Sequence, residues 1–329
     1  MTIEVIGGTH LTCKRVVTGY YSLDRACTND LKEIGVPIGH GYEIFGSTFI
    51  GKTTFSMALA GIIAKELEKN IVLADFELSD VRHITKILEN VGFDGKLNIP
   101  TRDKKGNNLD DGEVLEEVIT LLSNKDYGIA VLDSIAAISP IAEQESGIED
   151  ADMGRRAKLV AKFTRRTLPL FRNQENPKTV IAINHWYPKI GSRGYTAPGG
   201  EVKGFLGTVR ILLKRKEEFP DESYVLEGEI KKNRWGYKGR KFYVVMLSES
   251  GLNKNLSTVY DAFIYKKAER STVVKIGDTS YGRLKEIFTK ARNGDDEFFK
   301  PFYDALNETD TNIEQSGDFD GIEPDDNEI

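Results

Sequence analysis

Apolar positions follow two rhythms through the first two thirds of the chain. Short, almost wholly apolar runs stand at 41–46 (GYEIFG), 71–77 (IVLADFE), 128–133 (GIAVLD) and 179–185 (TVIAINH). Between them, 52–69, 79–92, 111–124 and about 152–174 carry apolar residues at helical spacing. The short runs predict strands buried on both faces, and the longer stretches predict helices. Strands alternating with helices in this way predict an α/β fold with a mainly parallel central sheet flanked by helices.

From 208 the rhythm changes. TVRILLKRKEE, YVLEGEIKKNR and KFYVVML read as further strands, antiparallel at one edge of the sheet. From about 266 the chain reads as helical, as in YGRLKEIFTKAR and DEFFKPFYDAL. Residues 1–35 are short and broken, with no long amphipathic helix. The segment 308–329 has few apolar side chains and is expected to be disordered. The predicted organisation is a 1–35 lead, a 36–265 core, a small helical region at 266–307 and an acidic tail at 308–329.

Composition narrows the class. Of 329 residues, 40% are apolar and 29% charged, ordinary values for a globular protein. No apolar stretch is long enough to span a bilayer, and the N-terminus lacks the pattern of a secretory signal. Cys13 and Cys27 are the only cysteines, which predicts a reducing, cytoplasmic setting and no disulfide scaffold. The net charge of −6 is unevenly placed. The tail holds nine acids and no Lys or Arg; the rest of the chain has 45 basic against 42 acidic residues. A slightly basic body with an acidic tail leaves nucleic acid open as a partner, where the bulk charge alone would argue against it.

The segment Gly46-Ser47-Thr48-Phe49-Ile50-Gly51-Lys52-Thr53 matches GxxxxGK[ST], between a buried strand and a helix. Its glycines let backbone N–H groups curl around phosphate oxygens, and the helix adds its positive end. Lys52 then reaches the β and γ phosphates, and the Thr53 hydroxyl meets Mg²⁺. Asp133, at the tip of an apolar strand and followed by Ser134, can hold Mg²⁺ through water. Glu77, just past another strand end, can orient or deprotonate the attacking water. The nucleotide contacts extend to Thr54, and Asp80 and His83 are assigned to them as well. The expected ligands are ATP and Mg²⁺.

The order of these motifs resembles the RecA family of recombinases, and among them the RecA-like proteins of large tailed phages. TGYYSLDRAC with GHGYEIFGSTFIGKTT resembles the family's lead into its phosphate loop. ADFELSD resembles the strand end that bears its catalytic glutamate, and IAVLDSIAAISP its Mg²⁺-binding strand. IAINH resembles the strand whose last polar residue senses the γ phosphate, which implies that role for His185. KKNR resembles the segment whose basic residues reach ATP in the neighbouring subunit, implying Lys232 and Arg234. MGRRAKLVAKFTRRTLP resembles the helix after the first DNA-binding loop, and APGGEVKGF the close of the second, with Gly199 and Gly200. The likeness covers about 17–265; the family's N-terminal polymerisation helix is not evident.

The residues themselves also suggest nucleic acid. The 186–201 stretch carries Trp186, Tyr187, Lys189, Arg193 and Tyr195 among glycines. Cations that follow phosphates and rings that stack on bases are what binding to a single strand needs. The stretch ESGIEDAD at 145–152 is acidic, so contacts there are expected from Met153, Arg155 and Arg156. Lys231, Lys232, Arg234, Lys238, Arg240 and Lys241 gather around a strand pair. The resemblance implies an ATP-dependent recombinase that assembles on single-stranded DNA, as a filament or ring, and pairs it with homologous duplex. The tail would bind single-strand-binding or mediator proteins, or compete with DNA. A ring helicase of the same fold and a mediator that binds ATP without its own filament are the alternatives.

Overall fold

Strand β1 (Gly41–Gly46) has all six residues buried, as a strand between parallel neighbours and covered on both faces must be. The computed structural model describes residues 13–28, 30–139, 155–173, 175–188, 195–196 and 207–316. It places β1 near the centre of a nine-stranded sheet. The other strands are β2 (Asn70–Asp75), β3 (Leu97–Asn98), β4 (Tyr127–Asp133), β5 (Thr179–His185), β6 (Val209–Glu218), β7 (Tyr224–Asn233), β8 (Lys241–Leu247) and β9 (Gly251–Asn253). Their order is β9-β8-β7-β6-β1-β5-β4-β2-β3. Every pair from β6 to β3 is parallel. The pairs β6–β7, β7–β8 and β8–β9 are antiparallel. The register sets Gly46 beside His185 and Asp75 beside Asp133, so the ends of β1, β5, β4 and β2 share one edge.

Helices cover both faces. The six-residue α1 (Tyr21–Ala26) belongs to the lead, where Arg15–Val16 also pairs with Val36–Pro37. One core holds β1, α2 (Lys52–Glu66) and α3 (Val81–Asn90), with Phe55, Met57, Ile63 and Ile87 fully buried. The other face packs α4 (Asp111–Ser123) and α5 (Arg155–Thr167) through Val118, Leu122 and Phe163. A capping box of Asp110 and Glu113 satisfies the first free N–H groups of α4. Among the described residues no helix is long and apolar enough to cross a membrane.

The C-terminal part departs from expectation. Helix α6 (Lys254–Ile264) was not predicted: its polar positions Asn255, Thr258 and Asp261 follow helical spacing, but they are buried along with the apolar ones. After it comes a three-stranded ribbon, Glu269–Arg270, Val274–Ile276 and Thr279–Ser280, where helix was expected from about 266. Then follow α7 (Leu284–Arg292) and α8 (Asp296–Ser316). Phe299, Phe302 and Leu306 of α8 close a third core against β7, β8 and α6. Helix α8 runs past 308 to Ser316; residues 317–329 lie outside the described residues. Helix α5 ends at Thr167, earlier than expected. A 3-10 turn at Leu170–Arg172 follows Pro169, which has no N–H to continue an α-helix.

Candidate active site

The phosphate loop leaves the tip of β1 and enters α2 through Gly51, at φ +93°. Only glycine adopts that conformation freely. Gly46 is needed for close approach: a Cβ there would lie 2.5 Å from the Leu213 carbonyl oxygen. Lys52 is 6% exposed and arches back over the loop, donating Nζ to the Ser47 carbonyl at 2.7 Å. Burial lowers its ammonium from the usual range, while the charges of Glu77 and Asp133 oppose that shift. Thr48 and Phe49 form the exposed turn, Ile50 is buried, and Thr54 sits in the first turn of α2. The α2 N-terminus and the loop thus offer a cationic, donor-rich cradle for a triphosphate.

Thr53 and Asp133 meet at the floor of this cradle, with Oγ1 donating to Oδ2 at 2.6 Å. Asp133 is 1% exposed. Burial pushes its carboxyl up to about 6, and the charges of Glu77 and Asp75 act in the same direction. A hydroxyl and a carboxylate, both hard oxygen donors, fit Mg²⁺, which takes few protein ligands and completes its shell with phosphate and water. Among the described residues no group of three or more His, Cys, Asp or Glu could hold a metal by itself.

Glu77 stands across from Asp133 on the turn after β2. Asp75 shapes that turn, accepting from the Ser79 N–H at 2.8 Å and the Ser79 hydroxyl at 3.1 Å. The Ser134 hydroxyl donates to Glu77. His185 Nε2 meets the same carboxylate oxygen at 2.9 Å. Partial burial pushes Glu77 up, but the hydrogen bonds from Ser134 and His185, with the charges of His185 and Lys52, outweigh it and hold the carboxyl below its usual range. An ionised carboxylate only accepts, so the imidazole Nε2–H is the donor. Three strand ends therefore converge on one acid.

The other predicted residues are distributed as follows. Asp80 caps α3, accepts from the Arg82 N–H at 2.9 Å and pairs with the Arg82 guanidinium at 3.2 Å on the surface; His83 lies in the same first turn. Lys232 and Arg234 sit at the opposite edge of the sheet, because Lys232 pairs with Arg210 and Arg210 with Glu43. Lys232 donates to the Gly207 carbonyl at 2.9 Å, and Arg234 is exposed. Burial, then the charges of Arg234 and Arg210, lower the Lys232 ammonium. Neighbouring cations have partners within the chain: Arg240 donates to the carbonyls of Arg25 and Thr28, and exposed Lys231 pairs with Glu229. Glu43, buried in β1, accepts from Asn184 at 2.9 Å and Arg210 at 2.5 Å. Removing one partner of such a pair costs about 3–5 kcal/mol.

Met153, Lys189, Arg193, Gly199 and Gly200 lie outside the described residues; Tyr195 belongs to a short backbone pairing with Pro188. Trp186 packs edge-on against Phe45 at 6.2 Å, and its backbone N–H donates to the Gly46 carbonyl at 3.2 Å. Arg156 turns inward, donating Nε to the Ile138 carbonyl at 2.6 Å, whereas Arg155 is exposed. Lys158 and Arg165, not singled out from the sequence, continue the exposed basic face from Arg155. Their helical spacing of three and seven was the available signal.

Sheet and site together define a P-loop nucleotide-binding protein in which an acid just beyond β2, with β5 and β4 between it and the phosphate-loop strand, faces the phosphate cradle. The RecA N-terminal domain family matches residues 3–236, and the chain belongs to that family. It is similar to Protein RecA of a Nitratiruptor species, 32% identical over 206 residues that cover 61% of this chain and 55% of that protein. Protein RecA of Nautilia profundicola is 30% identical over 206 residues, covering 61% and 54%. Protein RecA of Helicobacter pylori is 31% identical over 205 residues, with the same coverage. The chain thus spans about half the length of these relatives.

Proposed function

We propose that the chain is a DNA-dependent ATPase that assembles on single-stranded DNA as a filament or ring and promotes pairing and strand exchange with homologous duplex. Recombination and repair in the cytoplasm would be its setting, and the likeness to phage-encoded members belongs to the same reading. The carrying observation is the junction at the end of β5. His185 bonds Glu77 at 2.9 Å, and the next residue, Trp186, bonds the first residue of the phosphate loop. The chain then enters the stretch with Lys189, Arg193 and Tyr195. A residue at the γ-phosphate position is therefore the root of the proposed DNA-binding loop.

In this reading Lys52 and the loop amides hold the triphosphate, and Thr53 and Asp133 hold Mg²⁺, which neutralises phosphate charge when bound. Glu77, ionised at neutral pH, orients the attacking water and accepts its proton. His185 can donate to Glu77 or to the γ phosphate, so ATP favours one position of the β5 end and loses that preference on hydrolysis. Lys232 and Arg234 are too far along the sheet to serve their own cradle, which supports a role at the nucleotide of a neighbouring copy. Cations supplied across an interface would make hydrolysis depend on assembly. The acidic tail would serve protein partners or oppose DNA.

Electron microscopy with single-stranded DNA and an ATP analogue, beside a strand-exchange assay, tests this. Helical assemblies and exchange with homologous duplex are expected. ATP binding without any assembly would replace the proposal with a loader. Unwinding of a forked duplex without a homologous strand would replace it with a helicase.

A further inference from the structure

The side chains of Arg215 and Tyr224, both outside the phosphate-loop motif, hydrogen-bond its backbone. Arg215 of β6 donates Nη2 to the Phe49 carbonyl at 3.1 Å. Tyr224 of β7 donates its hydroxyl to the Ile50 carbonyl at 3.4 Å. The guanidinium also lies over the Tyr224 ring, 4.0 Å from its centre, and is held by Glu218 at 2.8 Å. The ring is pressed against the loop: a Cβ on Gly51 would collide with the Tyr224 hydroxyl oxygen.

The loop being held is strained. Phe49 has φ +62°, and its side chain is 91% exposed, so no packing of the ring compensates. A bulky residue in the left-handed region persists only where its surroundings impose it. The Arg215 hydrogen bond, on the carbonyl of that same residue, is such an imposition.

Peptide geometry then fixes what the contacts do. In a planar trans peptide the C=O and the following N–H point in opposite directions. Holding the Phe49 carbonyl outward therefore turns the Ile50 N–H inward, and holding the Ile50 carbonyl outward does the same for the Gly51 N–H. Inward is where phosphate oxygens must lie if the loop binds them. We propose that Arg215 and Tyr224 are positioning residues that pre-orient the Ile50 and Gly51 amides toward the nucleotide phosphates, an inference that rests on the nucleotide reading above. Pre-set dipoles avoid the reorganisation that a slack loop would undergo on binding.

The test is titration of Mg²⁺ with fluorescent ADP and ATP into wild type, R215Q, R215K and Y224F, without DNA, together with thermal melts. R215Q should weaken both nucleotides about tenfold, as loss of one charge-assisted hydrogen bond does, and Y224F about threefold. R215K, which keeps a donor but not the stacked plane, should recover part of the loss. The maximal hydrolysis rate should change less than the affinity. A merely structural role would lower the melting temperature and leave the affinity of the folded protein unchanged, and that result would overturn the assignment. If R215Q fails to fold, Y224F decides, since it removes a single oxygen: wild-type affinity in Y224F overturns the proposal. A wild-type chain that binds neither nucleotide would instead overturn the nucleotide reading itself, and this assignment with it.

Discussion

The two halves of the central sheet deliver chemistry in different ways. In the parallel half, β1, β5, β4 and β2 all run the same way, so the phosphate loop, His185, Asp133 and Glu77 arrive at one edge. In the antiparallel half the chain reverses at the turn from β6 to β7, so its residues divide between both edges. Arg215 and Tyr224 touch the phosphate loop, whereas Lys232 and Arg234 end on the far side. A parallel half can build a cradle within one chain. An antiparallel hairpin spans the sheet and can serve two nucleotides, its own and a neighbour's.

Mutations can break or sharpen this contrast. The largest effect is expected in the parallel half, where K52A should abolish measurable ATP hydrolysis. E77Q should slow hydrolysis by about 10²–10⁴-fold, the range of a lost general base, with ATP binding kept in a filter or fluorescence assay. Wild-type turnover in E77Q with DNA present would remove Glu77 from the chemistry. In the antiparallel half, K232A should reduce DNA-stimulated turnover by about 100-fold, less than the loss of a lone cation acting in trans because Arg234 remains. Mixing K52A with K232A should then restore activity, since an intact cradle in one copy meets an intact Lys232 in the next. No recovery on mixing would break the two-edge picture.

The smallest effect concerns Asp261 of α6, where the antiparallel half meets the lead. Burial pushes its carboxyl from 3.8 up to about 7, against hydrogen bonds from Ser22. Between those values the folded state keeps a proton that the unfolded chain has released. Stability therefore falls as pH rises through that window and is fully present below it. D261N should flatten that slope and raise the melting temperature at pH 8 by a few degrees. A wild-type melting curve insensitive to pH from 4 to 7 would contradict the burial argument.

The same division governs how much could be read from the residues alone. The sequence by itself determined the parallel half and most of the candidate cradle. Its strands are buried on both faces and so read as unbroken apolar runs, and residues at their carboxyl ends share an edge without any knowledge of register. GYEIFG with its glycine-rich exit, and the acids after IVLA and at the end of GIAVLD, carried that information locally. Only the tertiary structure decided the rest. Trp186 lies against Phe45, and Glu43, buried in β1, accepts hydrogen bonds from Arg210 and Asn184. Arg215 grips Phe49 across a separation of 166 residues. Helix α6 buries its polar as well as its apolar side chains, and the ribbon at 269–280 is built of strands only two or three residues long, too short to show a period. These features depend on antiparallel register and on contacts between distant segments, and neither is encoded in the spacing of neighbouring residues.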